Sequence, residues 1–463
     1  MIERSPVMWS GAGGPQDVFY ARDVEWPYPV IVDGEGVRLT DKNGKQYLDI
    51  SSGPVASNLG HRNSRVVEAI LRQSKRLSFA YPRVARTEEN IAFSAELSSM
   101  AGPGLERCFL VSGGSEAMDM ALKFARVAAL ARGEARRTRI FSLMPSYHGG
   151  TLATLAISGD ETVEKTFSGM AVFADHIPAP LSYRPHPGLN AAANDQKTLE
   201  LFEERIVAGN PQCSLGLVLE PVGGTATGAN VLSAHFLKGA AAICRRHGVF
   251  LIFDEVMSGA GRTGTFLAAH EAGIRPDVLV LAKGLSAGYQ PLGAMLASRE
   301  LVDGLAHSVG FNFAHTANAN PIACAVGSAV LAELRARNLV AHARDLGQHI
   351  RARLNDAQQR LPIIGDVRGR GLLMAVEVVQ DRTQKRPFPT EVNAPSAIRR
   401  IGLDHGIMIY ARRTNNGRFG DWFMVSPPLV TSFDEADEMV HRLELTLRDF
   451  SDTMTRRGFS IAA

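Results

Sequence analysis

Cysteine is scarce in this 463-residue sequence, and its four cysteines form neither a C-x-x-C pair nor a Cys/His spacing suited to zinc. That excludes the common zinc motifs and a disulfide framework, and it favours a reducing compartment. Long apolar runs are also missing, since none approaches the roughly 18 residues needed to span a bilayer. The first residues lack the apolar core of a signal peptide, so we expect a cytoplasmic protein without membrane contact and without a metal site.

An excess of one charge is absent too. The 50 Lys and Arg residues nearly balance 47 Asp and Glu, which leaves a formal charge of +3 and no basic block. A nucleic-acid partner is therefore not expected, because phosphate binding requires a clustered cationic face. Lysine itself is the scarce basic residue, with nine of the 50. A lysine at a buried strand end is consequently a notable feature of this chain.

The pattern of apolar residues predicts an α/β fold. After a turn-rich lead, a hairpin is expected around Asp41–Gly44, and a helical period begins near residue 64. Short, fully apolar runs then alternate with helical patterns, which is typical of buried parallel strands. These runs cover residues 108–111, 140–143, 215–219, 249–253 and 277–281.

The same pattern suggests the domain organisation. We expect an N-terminal segment at 1–61, a large domain at 62–325 and a C-terminal part at 326–463, with a smaller α+β domain built from both chain ends. Long helices are predicted over 322–339 and from residue 434 onward.

Polar residues follow several of the predicted strands, and ligands of open parallel sheets bind at those carboxyl ends. Ser112–Glu116 opens a helix with small residues, which suits a phosphate, although an ordinary N-cap at Ser115 is the simpler interpretation. The Tyr147-His148 pair could place a flat ring against a flat ligand, or could merely pack in a loop. Glu220 is a further acid at a strand end.

Two strand ends carry the strongest signal. A very apolar run leads into Asp254, and the next one leads through Ala282 into Lys283. Taken alone, each residue has an ordinary structural explanation, because Asp254 could cap a turn and Lys283 could reach solvent. The predicted crevice combines an anion site, an aromatic ring, a buried acid and an amine. This combination matches pyridoxal phosphate. That cofactor needs a lysine for its aldehyde, an acid for its ring nitrogen and a helix start for its phosphate.

The chain resembles the class III (subgroup II, fold type I) pyridoxal-phosphate aminotransferases over nearly its whole length. The matching segments are Gly34–Gly44, Asn58–His61, Gly114–Met118, Glu220–Val222, Phe253–Val256, Gly261–Gly264, Pro276–Leu285, His315-Thr316 and Val425–Leu429. The resemblance implies a mostly parallel central sheet flanked by helices, and a homodimer, or a tetramer, with a shared active site.

Residue by residue, the resemblance implies the following cofactor contacts: Lys283 as the Schiff-base lysine, Asp254 as partner of the ring nitrogen, Gly114 and Ser115 at the phosphate, Tyr147 and Val256 on the two ring faces, Glu220 nearby, and Thr316 reaching the phosphate of the neighbouring subunit.

Departures from the family pattern concern the substrate. Members that accept both α- and ω-amino acids carry an Arg gated by a Glu, at positions that are Met424 and Thr225 here. The resemblance is closer to ω-amino acid or amine:pyruvate aminotransferases, in which a loop arginine binds the acceptor carboxylate. In the loop 410–420, which contains Arg412, we expect Arg413 and Arg418 to do so.

The expected function is therefore a ping-pong aminotransferase that moves an amino group from an amine or ω-amino acid to an oxo acid such as pyruvate. A racemase or epimerase and a decarboxylating transaminase would retain Lys283 and Asp254 and stay open as alternatives. A non-catalytic homologue is disfavoured by the intact Lys283, and a nicotinamide dehydrogenase by the missing G-x-G-x-x-G.

Overall fold

The computed structural model describes residues 28–413 and 415–462, so the turn-rich lead expected at the chain start lies outside the described residues. The described strands are β1 Ile31–Glu35, β2 Arg38–Asp41, β3 Gln46–Asp49, β4 Arg107–Val111, β5 Arg139–Met144, β6 Asp175–Pro178, β7 Ser214–Leu219, β8 Phe250–Asp254, β9 Val278–Leu281, β10 Gly293–Ala297, β11 Ile364–Arg370, β12 Leu373–Val378, β13 Ile407–Met408 and β14 Asp421–Val425. The described helices are α1 Ser52–Val55, α2 Ser64–Arg76, α3 Glu88–Ala101, α4 Gly114–Ala131, α5 Leu152–Ala156, α6 Glu161–Thr166, α7 Ala191–Ala208, α8 Ala234–His247, α9 Ala269–Ala272, α10 Arg299–Ala306, α11 Pro321–Ala336, α12 Leu339–Arg360, α13 Ala394–Asp404 and α14 Phe433–Arg456.

The central sheet has the strand order β4-β10-β9-β8-β7-β5-β6 within the described ranges. β5 to β9 run parallel, whereas β10 runs antiparallel to both of its neighbours. Each predicted apolar run coincides with a strand of this sheet, and the predicted mostly parallel α/β fold is confirmed. β6 and β10 were not among the predicted strands.

Alternate side chains of each central strand face opposite sides of the sheet. Phe250 and Ile252 of β8 pack in the same cluster as α4, whereas Leu251 and Phe253 pack in the cluster that contains α8. Both faces of β8 are thus covered by helices, which is why its sequence is apolar without alternation. Each such side chain contributes roughly 1.5–3 kcal/mol when buried.

Two smaller sheets lie outside the central one. β13, from the C-terminal part, pairs in parallel with β3, and β3 pairs with β2 across the predicted hairpin. β11, β12 and β14 form an antiparallel sheet. The helix expected over 322–339 is α11, and α12 begins at the residue where that prediction ended. Segments from the N-terminal and the C-terminal parts of the chain therefore meet in one sheet, while the domain boundaries at 61 and 325 stay predictions.

Over the ranges that the structure describes, no helix combines the length and the apolar character needed to cross a membrane.

Candidate active site

The carboxyl ends of β8 and β9 bring the acid and the amine together. β8 ends at Asp254, and β9 is followed by Ala282 and Lys283. These strands are adjacent and parallel, so their carboxyl ends share one edge of the sheet. The two residues that the sequence singled out thus lie at the same crevice.

Lys283 occupies a strained and partly desolvated position. Its backbone has a φ of +44°, which is uncommon for a residue other than glycine, and its side chain is half-buried. Desolvation lowers the pKa of the amine to about 8, against the opposing charges of Asp254 and Glu220, and the nearby Arg412 lowers this pKa further. A neutral amine, the form that attacks an aldehyde, is therefore more accessible here than in water.

Asp254 is buried, with 5% of its surface exposed, and both carboxylate oxygens have partners. Oδ1 accepts a hydrogen bond from the Val256 N–H at 3.0 Å, so the residue does cap the following turn. Oδ2 lies 2.9 Å from Nδ1 of His148, which is itself buried. An ionised carboxylate only accepts hydrogen bonds, so Nδ1 carries the proton when Asp254 is charged.

Glu220 is held beside the same cluster by backbone donors. Its Oε2 accepts from the Tyr147 N–H at 3.2 Å and its Oε1 from the Gly224 N–H at 2.9 Å. Burial raises the pKa of this carboxyl, and the charge of Asp254 raises it further. The hydrogen bond that Glu220 accepts fixes the backbone of Tyr147, the residue expected to present an aromatic ring.

The start of α4 has an open N-terminus. Its N-cap is Gly113, which provides no side-chain hydrogen bond, and a Cβ placed on Gly113 would meet nothing within 4 Å. Ser115 does not cap the helix: its hydroxyl accepts a hydrogen bond from the Gly150 N–H at 2.9 Å. The ordinary N-cap at Ser115 is therefore wrong, and no side chain caps the start of α4 within the described residues.

These groups fit pyridoxal phosphate. The crevice contains an amine of lowered pKa, a buried carboxylate with a second-layer histidine, and an uncapped start of an 18-residue helix. Gly114 packs against Val256, since an added Cβ would lie 3.0 Å from its Cγ1. Together these groups provide an amine for the cofactor aldehyde, a carboxylate for its ring nitrogen and a helix start for its phosphate.

The arginine loop at residues 410–420 is arranged differently from the expectation. Arg413 donates to the Thr390 carbonyl and lies 3.7 Å from Asp421, and Arg418 pairs with Glu161 at the surface. Arg412 instead lies over the Tyr147 ring, with 4.4 Å between the guanidinium carbon and the ring centroid. The loop arginine that faces the Lys283 crevice is thus Arg412.

The other positions that the sequence indicates are Met424 and Thr225, which lie in the interior, and Thr316, which lies at the surface. Met424 and Thr225, at the positions of the Arg–Glu gate, are both buried, and the carbonyl of Thr225 accepts from Trp422 Nε1 at 2.6 Å. Thr316 is exposed, and the adjacent His315 lies 4.0 Å from Glu116 in the first turn of α4. The loop of Thr316 therefore runs beside the start of α4.

Two residues of the site were not selected from the sequence. His148 was noted only as part of a pair with Tyr147, although its place directly after β5 was a usable signal. Arg412 was recognised as a loop residue, but the choice among three loop arginines depends on side-chain direction, which a sequence pattern does not give.

Comparison with known proteins agrees with this geometry. A family model described as aminotransferase class-III matches residues 19–447. The chain is 31% identical over 424 residues to the adenosylmethionine-8-amino-7-oxononanoate aminotransferase of Geobacter sulfurreducens, covering 90% of this chain and 91% of that protein.

Two solved structures are similar in fold over almost the whole chain. An (S)-enantioselective omega-transaminase from Thermomicrobium roseum has 31% identity and a TM-score of 0.87, covering 92% of this chain and 94% of that one. An amine transaminase from an uncultivated Pseudomonas species, in a PLP-bound form, has 30% identity and a TM-score of 0.87, covering 94% and 98%. The resemblance inferred from the sequence is confirmed. The protein belongs to the class III aminotransferases, enzymes that depend on pyridoxal phosphate.

Proposed function

We propose that the enzyme transfers an amino group from an amine or ω-amino acid to an oxo acid such as pyruvate, in a ping-pong reaction. One observation carries this proposal. Arg412 is close enough to Lys283 to lower its pKa, yet among the described residues it donates no hydrogen bond. Its guanidinium donors are therefore available to a ligand carboxylate beside the reactive amine.

The residues around Lys283 have distinct tasks in this proposal. Pyridoxal phosphate, when bound, supplies an aldehyde that takes up the amino group and a ring that withdraws electrons from the substrate carbon. Nζ of Lys283 removes the proton from that carbon and returns one in the reverse direction. Asp254, whose Oδ2 lies 2.9 Å from Nδ1 of His148, would pair with the ring nitrogen.

Further residues hold the cofactor in place. The open start of α4, with Gly114 and Ser115, takes the phosphate, and Tyr147 and Val256 enclose the ring. Glu220 supports Tyr147 through its backbone N–H.

The missing gate supports amines and ω-amino acids as donors. An enzyme that accepts both α- and ω-amino acids at one subsite needs a charged pair that can open and close. Met424 and Thr225 are uncharged and buried, and Trp422 donates to the Thr225 carbonyl, so these two positions hold no charged pair. The two similar structures, an omega-transaminase and an amine transaminase, agree with this class of donor.

A homodimer is part of the proposal, because Thr316 is exposed on the single chain. Large apolar side chains are also exposed within residues 71–91, namely Leu71, Leu77, Phe79, Val84 and Ile91. Asn320 Nδ2 donates to the Ser78 carbonyl at 3.2 Å, which joins this segment to the loop of Thr316. A second copy that covers this surface would bury the apolar residues and bring Thr316 to the neighbouring phosphate.

Arg412→Ala tests the substrate assignment. We expect the KM for pyruvate to rise roughly 10- to 100-fold, the cost of losing charge-assisted hydrogen bonds, with little change for an amine that lacks a carboxylate. Arg418→Ala is the matched control, since this arginine is exposed and paired with Glu161. Initial rates over a panel of amines, diamines and ω-amino acids against pyruvate and 2-oxoglutarate supply the measurement. An unchanged pyruvate KM in Arg412→Ala would contradict the assignment.

A further inference from the structure

Asn415 fastens the loop 410–420 to the rest of the molecule. Its side chain is buried, with 6% exposed, and both ends of its amide are used. Oδ1 accepts a hydrogen bond from the Glu161 N–H at 2.7 Å, and Nδ2 donates to the Gly159 carbonyl at 3.3 Å. One side chain thus holds the loop against the backbone of residues 159–161.

Residues 158–160 are themselves fixed to the floor of the site. The Gly159 N–H donates to Ser146 Oγ at 3.0 Å, and the His148 N–H donates to Ser158 Oγ at 2.8 Å. A Cβ on Gly159 would lie 2.2 Å from the Leu143 carbonyl oxygen, so the backbone here rests directly on the end of β5. The anchor point of Asn415 is therefore rigidly connected to Tyr147 and His148.

The same segment also faces Arg412. Asp160 Oδ1 accepts from the Thr162 N–H at 3.0 Å and caps α6, while Oδ2 lies 4.0 Å from Nη2 of Arg412. This distance is too long for a hydrogen bond, so Asp160 attracts the guanidinium without occupying its donors. Asn415 supplies the buried hydrogen bonds between the loop and this segment, and the exposed Arg418 adds its ion pair with Glu161.

We propose that Asn415 is a positioning residue for the acceptor: it holds the loop so that Arg412 points at the carboxylate of the oxo acid. This inference rests on the proposed function of Arg412. The backbone suits the residue, because Asn415 has a φ of +52°, and asparagine tolerates the left-handed region better than most residues. If the side-chain amide of Asn415 were removed, Arg412 would still be present, but its guanidinium would lose its fixed direction.

Asn415→Gly removes the amide and keeps the positive φ accessible, and Asn416→Gly is the matched control. Asn416 is exposed and has the same φ of +52°. We expect Asn415→Gly to raise the pyruvate KM about ten-fold, the size expected for losing two hydrogen bonds. The KM for butanal, an acceptor without a carboxylate, and the rate of the half-reaction with 1-phenylethylamine should not change. Asn416→Gly should leave all three unchanged.

A double-variant cycle connects Asn415 to Arg412. In the Arg412→Ala background, Asn415→Gly should raise the pyruvate KM no further, because the guanidinium that it orients is gone. An additive effect, or an equal loss with butanal, would overturn the inference. So would an unchanged pyruvate KM in Asn415→Gly when Arg412→Ala raises it. If Arg412→Ala itself has no effect, the proposed function of Arg412 fails first.

Asn415→Ser is a second variant if the glycine variant does not fold, with the same selective rise in KM expected.

Discussion

The lowered pKa of Lys283 shows how the surroundings of a single residue determine its reactivity. The amine is desolvated at the end of a buried strand, and this lowers its pKa from 10.5 to about 8. Two carboxylates oppose the shift and one arginine adds to it, so the value reflects the whole crevice. The amine reacts with an aldehyde only when neutral, so capture of the cofactor should follow this pKa.

The rate at which cofactor-free enzyme captures pyridoxal phosphate should therefore depend on pH with a midpoint near 8. Below that pH the neutral fraction falls about ten-fold per pH unit, and above it the rate should level off. Stopped-flow absorbance of the cofactor measures the rate, with Lys283→Ala as the control that captures none. Because Arg412 lowers this pKa, Arg412→Ala should move the midpoint upward. A rate that continues to rise beyond pH 10 would contradict this account.

Single residues also mark the limit of sequence-based prediction. Lys283 and Asp254 could be predicted because a buried strand leads directly into each, and strand ends have a defined direction. Arg412 could not, because it lies in an irregular loop where neighbouring side chains diverge. Arg413 turns to Asp421 and Arg418 to Glu161, although all three arginines lie within a short stretch of sequence.

At the scale of elements, the turn between β8 and α9 depends on a second acid. Glu255 is fully buried and accepts hydrogen bonds from the Ala268 and Ala269 N–H groups at 2.6 and 2.9 Å, at the start of α9. Burial raises the pKa of this carboxyl to about 7. The folded enzyme therefore retains a proton that the unfolded chain releases near the ordinary glutamate pKa of 4.5.

Stability contributed by Glu255 should consequently fall as pH rises from about 4.5 to 7, by up to about 3 kcal/mol. Glu255→Gln keeps an oxygen that accepts from α9 but cannot ionise. Its Tm relative to the wild type should therefore increase between pH 5 and pH 7.5 in thermal unfolding of the cofactor-free enzyme. Glu300→Gln, at an exposed position, is the control. A Tm difference that is independent of pH would show that Glu255 does not titrate in this range.

Elements differ in how well the sequence predicts them. β7, β8 and β9 are apolar on both faces and could be predicted from composition alone. β6, Asp175–Pro178, is a short edge strand with polar residues and has no such signature. β10 is apolar, but its antiparallel direction is determined by pairing with β4 and β9, which are distant in sequence from each other.

On the scale of the whole molecule, the proposed function needs a second copy of the chain to complete the site. Sedimentation should show a dimer, and Thr316→Ala should weaken the binding of pyridoxal phosphate several-fold without changing the oligomeric state, because only one hydroxyl contact per site is lost. Equilibrium dialysis measures the affinity. Ser308→Ala, whose hydroxyl bonds to the Gly304 carbonyl of its own chain, should bind as the wild type does. A fully active monomer would refute the shared site.

The most direct test of the central claim is the stoichiometry of products. With 1-phenylethylamine and pyruvate, the enzyme should form one alanine for each acetophenone, and Lys283→Ala should form neither. Loss of optical rotation without alanine would indicate a racemase, and release of carbon dioxide from an amino acid donor would indicate a decarboxylating transaminase. Either result, in place of equal amounts of alanine and ketone, would contradict transfer of an amino group from an amine to an oxo acid.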